Sequence, residues 1–238
     1  MLNRRMIFAM KRFVQLIFIV LSLGVPLAAT AGDAFPGQAP SRSELRIQEK
    51  VDSLFEKGDY ERAMFIYEKE LSPLGDKFAQ YMVGYMHVAG KGVTQDAILA
   101  SAWYRLAAER GHDEYVRVRD KLLTSMNDEQ RTRSDSLFFN LRRRMGDAAL
   151  ISNLIEQDVT ILESRREPIP ISGSNFERNT FRGSDSINAG VAKRLDSRAK
   201  YLNQLIDSDE SLSRGEHETL GKSLADAQRV LDAYIASN

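Results

Sequence analysis

The chain contains no cysteine among its 238 residues. This absence excludes disulfide bonds, thiolate metal sites and thiol nucleophiles. It also excludes a lipoprotein, because the lipid of that class of protein is attached to a cysteine at the cleavage point. Without disulfides, the fold must be held together by its hydrophobic core alone.

Histidine is scarce as well, since the sequence has only His87, His112 and His217. No His-x-x-x-His spacing, carboxylate pair or Gly-x-Ser-x-Gly motif accompanies them. We therefore predict no catalytic residue, no metal and no cofactor, and a protein that is not an enzyme.

An excess of charge of either sign is also missing, because 33 Lys and Arg residues balance 33 Asp and Glu residues. The first 31 residues carry four of the basic residues and none of the acidic ones, so the remainder is mildly acidic. Proteins that bind nucleic acid are usually strongly basic on one face. The charge balance therefore argues against a nucleic-acid partner.

The N-terminus has the pattern of a secretion signal. Arg4, Arg5, Lys11 and Arg12 precede an apolar run that is interrupted and short for a bilayer span, and small residues lead to Ala31. We expect a signal peptide at residues 1–31 that is cleaved near Ala31, which would place the protein in the periplasm or outside the cell. The alternative is an uncleaved leader that anchors the chain in the membrane.

Apolar residues recur at helical spacing from residue 43 onward, and one set of them repeats. Asp59, Ala63, Ile66 and Tyr67 are followed at an offset of 37 residues by Asp96, Ala100, Trp103 and Tyr104. A fixed period in the thirties with one helix pair per unit is typical of an α-solenoid. The sequence therefore predicts an all-α fold with a short helical-repeat solenoid.

The second of these units resembles the Sel-one-like repeat, a subclass of the tetratricopeptide-type helical repeats. The residues that carry the resemblance are Ala79, Gly84, Gly90, Gly92, Val93, Asp96, Ala100, Trp103, Tyr104, Ala107, Ala108 and Gly111. Two positions depart from the usual pattern, because Val83 and His87 stand where the family usually has leucine and tyrosine.

The resemblance implies a right-handed superhelical scaffold that binds a protein or peptide. In such repeats the first helix of each pair lines the concave groove, so Phe78, Tyr81 and Tyr85 are the expected partner-binding residues. From the residues alone, the sequence favours neither a core position nor a groove position for these three rings.

The glycine turn at Gly90 and Gly92 has a second interpretation, as a phosphate-binding loop. Such a loop follows a strand and carries a Lys-Ser/Thr pair, whereas here a helix precedes the turn and no such pair follows it. We therefore interpret the turn as a connection between two helices.

Beyond the repeats, the sequence predicts further helices and a tail. Ser213 and Glu216 form a capping box before an apolar seam at four- and three-residue steps. The expected boundaries are a flexible lead-in at residues 32–42, the solenoid at 43–124, capping helices at 125–164, a linker at 165–188 and a helical hairpin at 189–238.

We expect an exported, non-catalytic adaptor for another envelope protein. Two alternatives remain at this point: an enzyme or accessory factor acting on cell-wall glycan, and a structural oligomer zipped by the C-terminal hairpin. Membrane contact is expected only through an uncleaved leader or through a basic helix face. The residues of that face are Arg131, Arg133, Arg142, Arg143 and Arg144.

Overall fold

The structure is a computed structural model that describes residues 41–164, 177–209 and 212–237, without the side chains of residues 177–186 and 237. The described residues form helices and turns with no β-strand, so the predicted all-α class is confirmed. The α-helices are α1 (Arg42–Glu56), α2 (Tyr60–Ile66), α3 (Lys77–Ala89), α4 (Ala97–Ala107), α5 (Asp113–Thr124), α6 (Asp128–Met145), α7 (Asp147–Ser164), α8 (Glu177–Ser208) and α9 (Arg214–Ser237). The predicted signal peptide lies outside the described residues.

The chain divides into two compact units, whose described parts are residues 41–143 for the first and residues 144–164, 177–209 and 212–237 for the second. We call them the N-terminal unit and the C-terminal unit. The predicted boundaries differ from this division, because the sequence assigned residues 125–164 together to a cap on the solenoid.

The first helix pair consists of α1 and α2. Ser41 and Glu44 form a capping box, and α1 begins at Arg42, one residue before the predicted start of the solenoid. Helix α2 continues into a π-turn (Tyr67–Leu71) and a 3₁₀ turn (Ser72–Leu74), and the pair ends at Gly75 with φ of +81°. Asp59 stands at the N-terminal cap of α2, but its carboxylate pairs with Arg62 at 3.1 Å instead of capping the helix.

The second pair, α3 and α4, forms the middle of the N-terminal unit. The sequence of α3 is apolar on nearly every side, and 11 of its 13 residues are buried. A short helix of this composition is stable in water only when its neighbours cover it. Asp96 caps the start of α4, because its carboxylate accepts bonds from the backbone N–H groups of Ile98 and Leu99 at 2.9 Å.

The offset of 37 residues in the sequence corresponds to equivalent buried positions. Ala63 and Ala100 are fully buried, as are the rings of Tyr67 and Tyr104. Ile66 and Trp103 occupy the remaining pair of equivalent positions in the core. The repeat therefore places a small residue and two large ones at the same points of two successive helix pairs.

Helices α5 and α6 complete the N-terminal unit, whereas the sequence placed α5 in the solenoid and α6 among the capping helices. The buried side of α6 has the spacing i, i+3, i+4, i+7 found in α2 and α4, here with Ser134, Leu137, Phe138 and Leu141. Ser134 meets Ser101 of α4 at 2.6 Å between hydroxyl oxygens, and both residues are fully buried. Helix α6 therefore belongs to the same compact unit as the predicted solenoid.

The C-terminal unit contains α7, α8 and α9, which pack against one another around a shared apolar core. The residues of this core include Ile151, Ile155, Leu162, Leu195, Leu202, Leu220, Ala227 and Val230. Helix α7 therefore belongs with the C-terminal helices, and it covers the seam that the sequence assigned to a hairpin of α8 and α9 alone. Residues 177–188 of the predicted linker are helical and form the start of α8.

An ion cluster lies inside the C-terminal unit. The carboxylate of Asp158 is almost completely buried and accepts bonds from Arg194 at 3.1 Å and from Arg198 at 2.5 Å. Arg198 also donates to the carbonyl oxygen of Leu154 at 3.1 Å. Because a buried charge is tolerated only with partners, this cluster fixes α8 against α7.

Candidate functional site

The Gly90–Gly92 turn joins α3 to α4. Both glycines have positive φ, +65° and +68°, which side-chain-bearing residues rarely adopt. The backbone N–H of Lys91 donates to the carbonyl oxygen of Met86 at 3.0 Å, and that of Asp96 donates to His87 at 3.0 Å. The glycines therefore shape a fixed interhelical connection, and the structure offers no strand before it that a phosphate loop would need.

Gly84 and the alanines of the repeat bring α3 and α4 close together. A Cβ atom on Gly84 would approach the ring carbons of Tyr104 to 2.9 Å. Ala79, Ala100 and Ala107 are all fully buried. These small residues act in packing, with Trp103 and Tyr104 filling the space beside them, and Gly111 ends the pair with φ of +73°.

Two of the three residues predicted to contact a partner lie in the core. Tyr81 is 6% exposed and Tyr85 is 3% exposed, while Phe78 is half-buried with its ring edge-on to Tyr67 at 6.3 Å between centroids. The prediction of an open groove over Tyr81 and Tyr85 is therefore corrected. The reason is physical, because neighbouring helices cover the all-apolar helix on which they lie.

Tyr81 belongs to an aromatic stack that crosses three helices. Its ring centroid lies 5.2 Å from that of Tyr104 and 4.8 Å from that of Tyr115, and His112 stacks on Tyr115 at 4.4 Å. Burial raises the pKa of Tyr81, and the charge of Glu114 acts in the same direction. The phenol therefore stays neutral and acts as a core side chain.

A second aromatic group is partly open to solvent, and the sequence analysis missed it. Lys91, between the two turn glycines, places its Nζ 4.2 Å from the ring centroid of Tyr60, 5.2 Å from that of Phe55 and 5.9 Å from that of Tyr85. Its Nζ also donates to Tyr60 Oη at 2.9 Å. The sequence does contain a signal for this group: Lys91 lies between two turn glycines, and Phe55 and Tyr60 stand in the preceding helix pair.

A buried polar network ties α3 to α4. Lys77 is fully buried, and its Nζ donates to Glu109 at 2.7 Å, to the carbonyl oxygen of Leu106 at 3.0 Å and to Gln80 at 3.2 Å. Gln80 in turn donates to the carbonyl oxygen of Ser72 at the end of the first pair. The charged groups thus hold the two helices of one repeat together, and Gln80 connects them to the first pair.

The predicted basic face is smaller in the structure than in the sequence. Arg142 is buried, with its guanidinium 5.9 Å from the ring of Phe138 and 3.9 Å from Glu109. Asp135, the acidic residue within this stretch, pairs with Arg105. The remaining arginines of the face, Arg131, Arg133, Arg143 and Arg144, are exposed.

Histidine and carboxylate side chains are the groups that could hold a metal ion in a chain without cysteine. In the part of the chain that the structure describes, no group of three or more His, Asp or Glu side chains is placed to hold a metal ion. Burial lowers the pKa of His87, which favours its neutral form. No helix in residues 41–164, 177–209 or 212–237 has the length and apolar character needed to cross a lipid bilayer.

Comparison with known proteins gives one match. The family model of the Sel1 repeat matches residues 77–112, which contain α3, the glycine turn and α4. Searches of curated proteins and of solved structures found no match to this chain. The matched segment is the one in which the glycines, the alanines and the Trp103–Tyr104 pair have the packing roles described above, so the chain contains a Sel1-like repeat at these residues.

Proposed function

We propose that this chain is an exported, non-catalytic adaptor that binds another envelope protein or peptide through its N-terminal unit. The observation that carries the proposal is the Sel1 repeat at residues 77–112, which α1 and α2 precede and α5 and α6 follow. Sel1 repeats generally mediate protein–protein interactions, and helix-pair arrays of this kind present extended binding surfaces.

The partner-binding surface is proposed to include Phe78, since it is the one residue of the predicted groove set that is only half-buried. Tyr81 and Tyr85, the other two residues of that set, are buried in the core. Two exposed apolar side chains provide comparison points on the rest of the molecule: Phe65 of α2, which is 59% exposed, and Ile235 of α9, which is 71% exposed.

The test is site-specific photo-crosslinking in the native host. A benzophenone amino acid replaces Phe78, Phe65 or Ile235, one at a time, and crosslinked products are identified by mass spectrometry. The proposal expects a crosslink from Phe78 to a different envelope protein. A crosslink from Ile235 to a second copy of this chain, with none from Phe78 or Phe65, would instead favour the structural oligomer.

Export is proposed from the basic and apolar pattern of residues 1–31. Cleavage after Ala31 predicts a mature protein whose first residue is Gly32. N-terminal sequencing of the protein from the periplasmic fraction tests this. An intact N-terminus recovered in the membrane fraction would support the uncleaved anchor and would remove this part of the proposal.

A further inference from the structure

Three aromatic rings from two successive helix pairs surround the ammonium group of Lys91. They are Phe55 of α1, Tyr60 of α2 and Tyr85 of α3, and we call them the aromatic box. The rings of Phe55 and Tyr60 meet at 67° with centroids 5.1 Å apart, and those of Phe55 and Tyr85 meet at 54° with centroids 6.2 Å apart. The rings are therefore tilted toward one another rather than stacked in a single layer.

This geometry suits a cation. An ammonium or guanidinium group within about 6 Å of a ring centroid is attracted by the negative face of the ring. All three centroids satisfy that distance from Lys91 Nζ, and the phenol oxygen of Tyr60 adds a hydrogen bond at 2.9 Å. The chain's own lysine thus shows which kind of group the aromatic box accepts.

The box lies at the surface, and its occupant is attached by a flexible stem. Phe55, Tyr60 and Lys91 are half-buried, whereas Tyr85 forms the buried floor. The turn that carries Lys91 is held by backbone bonds, among them the one from Lys91 N to the carbonyl oxygen of Met86. Because these bonds do not use the side chain, the lysine stem can leave the box while the turn keeps its shape.

We propose that the aromatic box is a recognition site for a lysine or arginine side chain of the protein partner, and that Lys91 occupies it until the partner displaces it. This inference rests on the adaptor function proposed above and names the chemistry of one contact. It uses both helix pairs, because α1 and α2 supply two rings while α3 and its turn supply the floor and the resident lysine.

Displacement makes the site selective. A tethered lysine competes at a high effective concentration, so a free cation gains little from entering the box. A partner that also contacts neighbouring surface adds the affinity that a single cation lacks. When only a fraction of the boxes is open, the apparent dissociation constant rises in proportion to the inverse of that fraction.

The test removes the resident lysine and measures binding of three small peptides to the full chain. The probes are acetyl-Gly-Lys-Gly-amide, acetyl-Gly-Arg-Gly-amide and the neutral acetyl-Gly-norleucine-Gly-amide, titrated by NMR with the ring protons of Phe55 and Tyr60 as reporters. Lys91→Ala is expected to bind the two cationic peptides about tenfold more tightly than the unmodified chain does, without gaining affinity for the norleucine peptide. Lys91→Gln is measured in parallel so that the outcome does not depend on one substitution.

Two controls locate the effect. Lys69→Ala removes a lysine at an exposed position of α2's π-turn and is expected to leave binding of all three peptides unchanged. Tyr60→Leu in the Lys91→Ala background removes the ring nearest the cation and is expected to abolish the gain.

The inference is overturned if Lys91→Ala and Lys91→Gln bind the cationic peptides no better than the unmodified chain. It is equally overturned if the norleucine peptide gains as much as the cationic ones. Either result leaves the adaptor proposal to its own test, because crosslinking from Phe78 does not depend on the aromatic box.

Discussion

Gly92 lies directly against the backbone of Tyr60. A Cβ atom on Gly92 would approach the carbonyl carbon and oxygen of Tyr60 to 2.5 Å and the backbone nitrogen of Glu61 to 2.7 Å. The turn of the second helix pair therefore packs on the first residues of α2. This contact joins two successive repeats through backbone atoms, which cannot move aside as a side chain can.

Gly92→Ala should therefore destabilise the N-terminal unit by more than the cost of placing alanine at a positive φ angle. The positive φ costs a non-glycine residue about 1–2 kcal/mol, and the contact with Tyr60 adds a comparable amount. The fluorescence of Trp103 reports unfolding of this unit, because it is the only tryptophan and is 2% exposed there. Urea denaturation followed at this residue gives the change in the free energy of unfolding.

Gly111→Ala is the matched control, since Gly111 also has positive φ, +73°, but a Cβ atom there meets nothing within 4 Å. We expect it to lose only the cost of the backbone angle. If both substitutions lower the free energy of unfolding by the same amount, the turn must move away from the Tyr60 backbone at no cost.

Gly84→Ala tests the close approach of α3 and α4. Alanine favours a helix over glycine by about 1 kcal/mol, so the substitution would stabilise an isolated helix. Here the new Cβ would lie 2.9 Å from ring carbons of Tyr104 and 3.2 Å from the carbonyl oxygen of Ala100. We expect a net loss of about 1–3 kcal/mol in the free energy of unfolding.

A double-mutant cycle with Tyr104→Leu identifies the cause of that loss. If the ring is the obstacle, Gly84→Ala should cost less in the Tyr104→Leu background than in the unmodified chain. A loss of the same size in both backgrounds would assign the cost to the Ala100 carbonyl instead. Trp103 fluorescence again provides the measurement.

The sequence predicted the middle of the N-terminal unit well because the repeat places special residues where geometry demands them. Positions 90 and 92 require positive φ, and position 84 has no room for a Cβ atom. Glycine meets both requirements, so the residue type itself indicates the geometry at these positions. The spacing that α6 shares with α2 and α4 was not recognised because its equivalent positions hold Ser134 and Phe138. Ser134 and Phe138 occupy the positions that alanine and tyrosine hold in the two earlier helices, but their residue types differ, so the sequence shows no repeat there.

The site was harder to predict for a different reason. A ring on an all-apolar helix has the same sequence signal whether a partner or a neighbouring helix covers it, and Tyr81 and Tyr85 proved to be covered by the chain itself. The aromatic box and its occupant Lys91 extend over 36 residues of sequence, from Phe55 to Lys91, so no local spacing reveals the site. Helical residues in the predicted linker were missed because glycine and serine there mimic a loop composition.

Glu109→Gln should be costly, although it changes one atom of the side chain. It removes the negative charge that faces the fully buried ammonium of Lys77 at 2.7 Å. Breaking a buried ion pair on one side leaves an uncompensated charge and typically costs about 3–5 kcal/mol. The measurement is urea denaturation at a pH near 7, followed by Trp103 fluorescence.

Two matched controls show whether the cost of Glu109→Gln comes from the unneutralised buried charge or from the loss of one ion pair. Glu68→Gln breaks the exposed pair with Lys69, for which we expect less than about 1 kcal/mol. Lys77→Met combined with Glu109→Leu removes both charges and should cost less than Glu109→Gln alone. A double variant that is less stable than Glu109→Gln would show that the network stabilises the unit beyond neutralising Lys77.

His87 should make the stability of the N-terminal unit depend on pH in the weakly acidic range. Burial lowers the pKa of His87 below its ordinary value of 6.5, while a bond with the Thr94 backbone and the charges of Asp96 and Glu68 oppose that shift. The unfolded chain therefore binds the proton more readily than the folded one. The contribution of His87 to the free energy of unfolding is fully present above pH 6.5 and is lost as the pH falls below that value. The slope from this residue is at most about 1.4 kcal/mol per pH unit.

His87→Gln removes the titrating group and should flatten this part of the profile. Urea denaturation at a series of pH values from about 7.5 to 5, followed by Trp103 fluorescence, compares the slopes of the two proteins. His217→Gln, an exposed substitution in the C-terminal unit, serves as the control and should retain the slope of the unmodified chain. If His87→Gln also retains that slope, the acid sensitivity originates in other groups. In that case the neutral imidazole would contribute to this unit only as a packed ring, like the tyrosine usual at its position in the repeat.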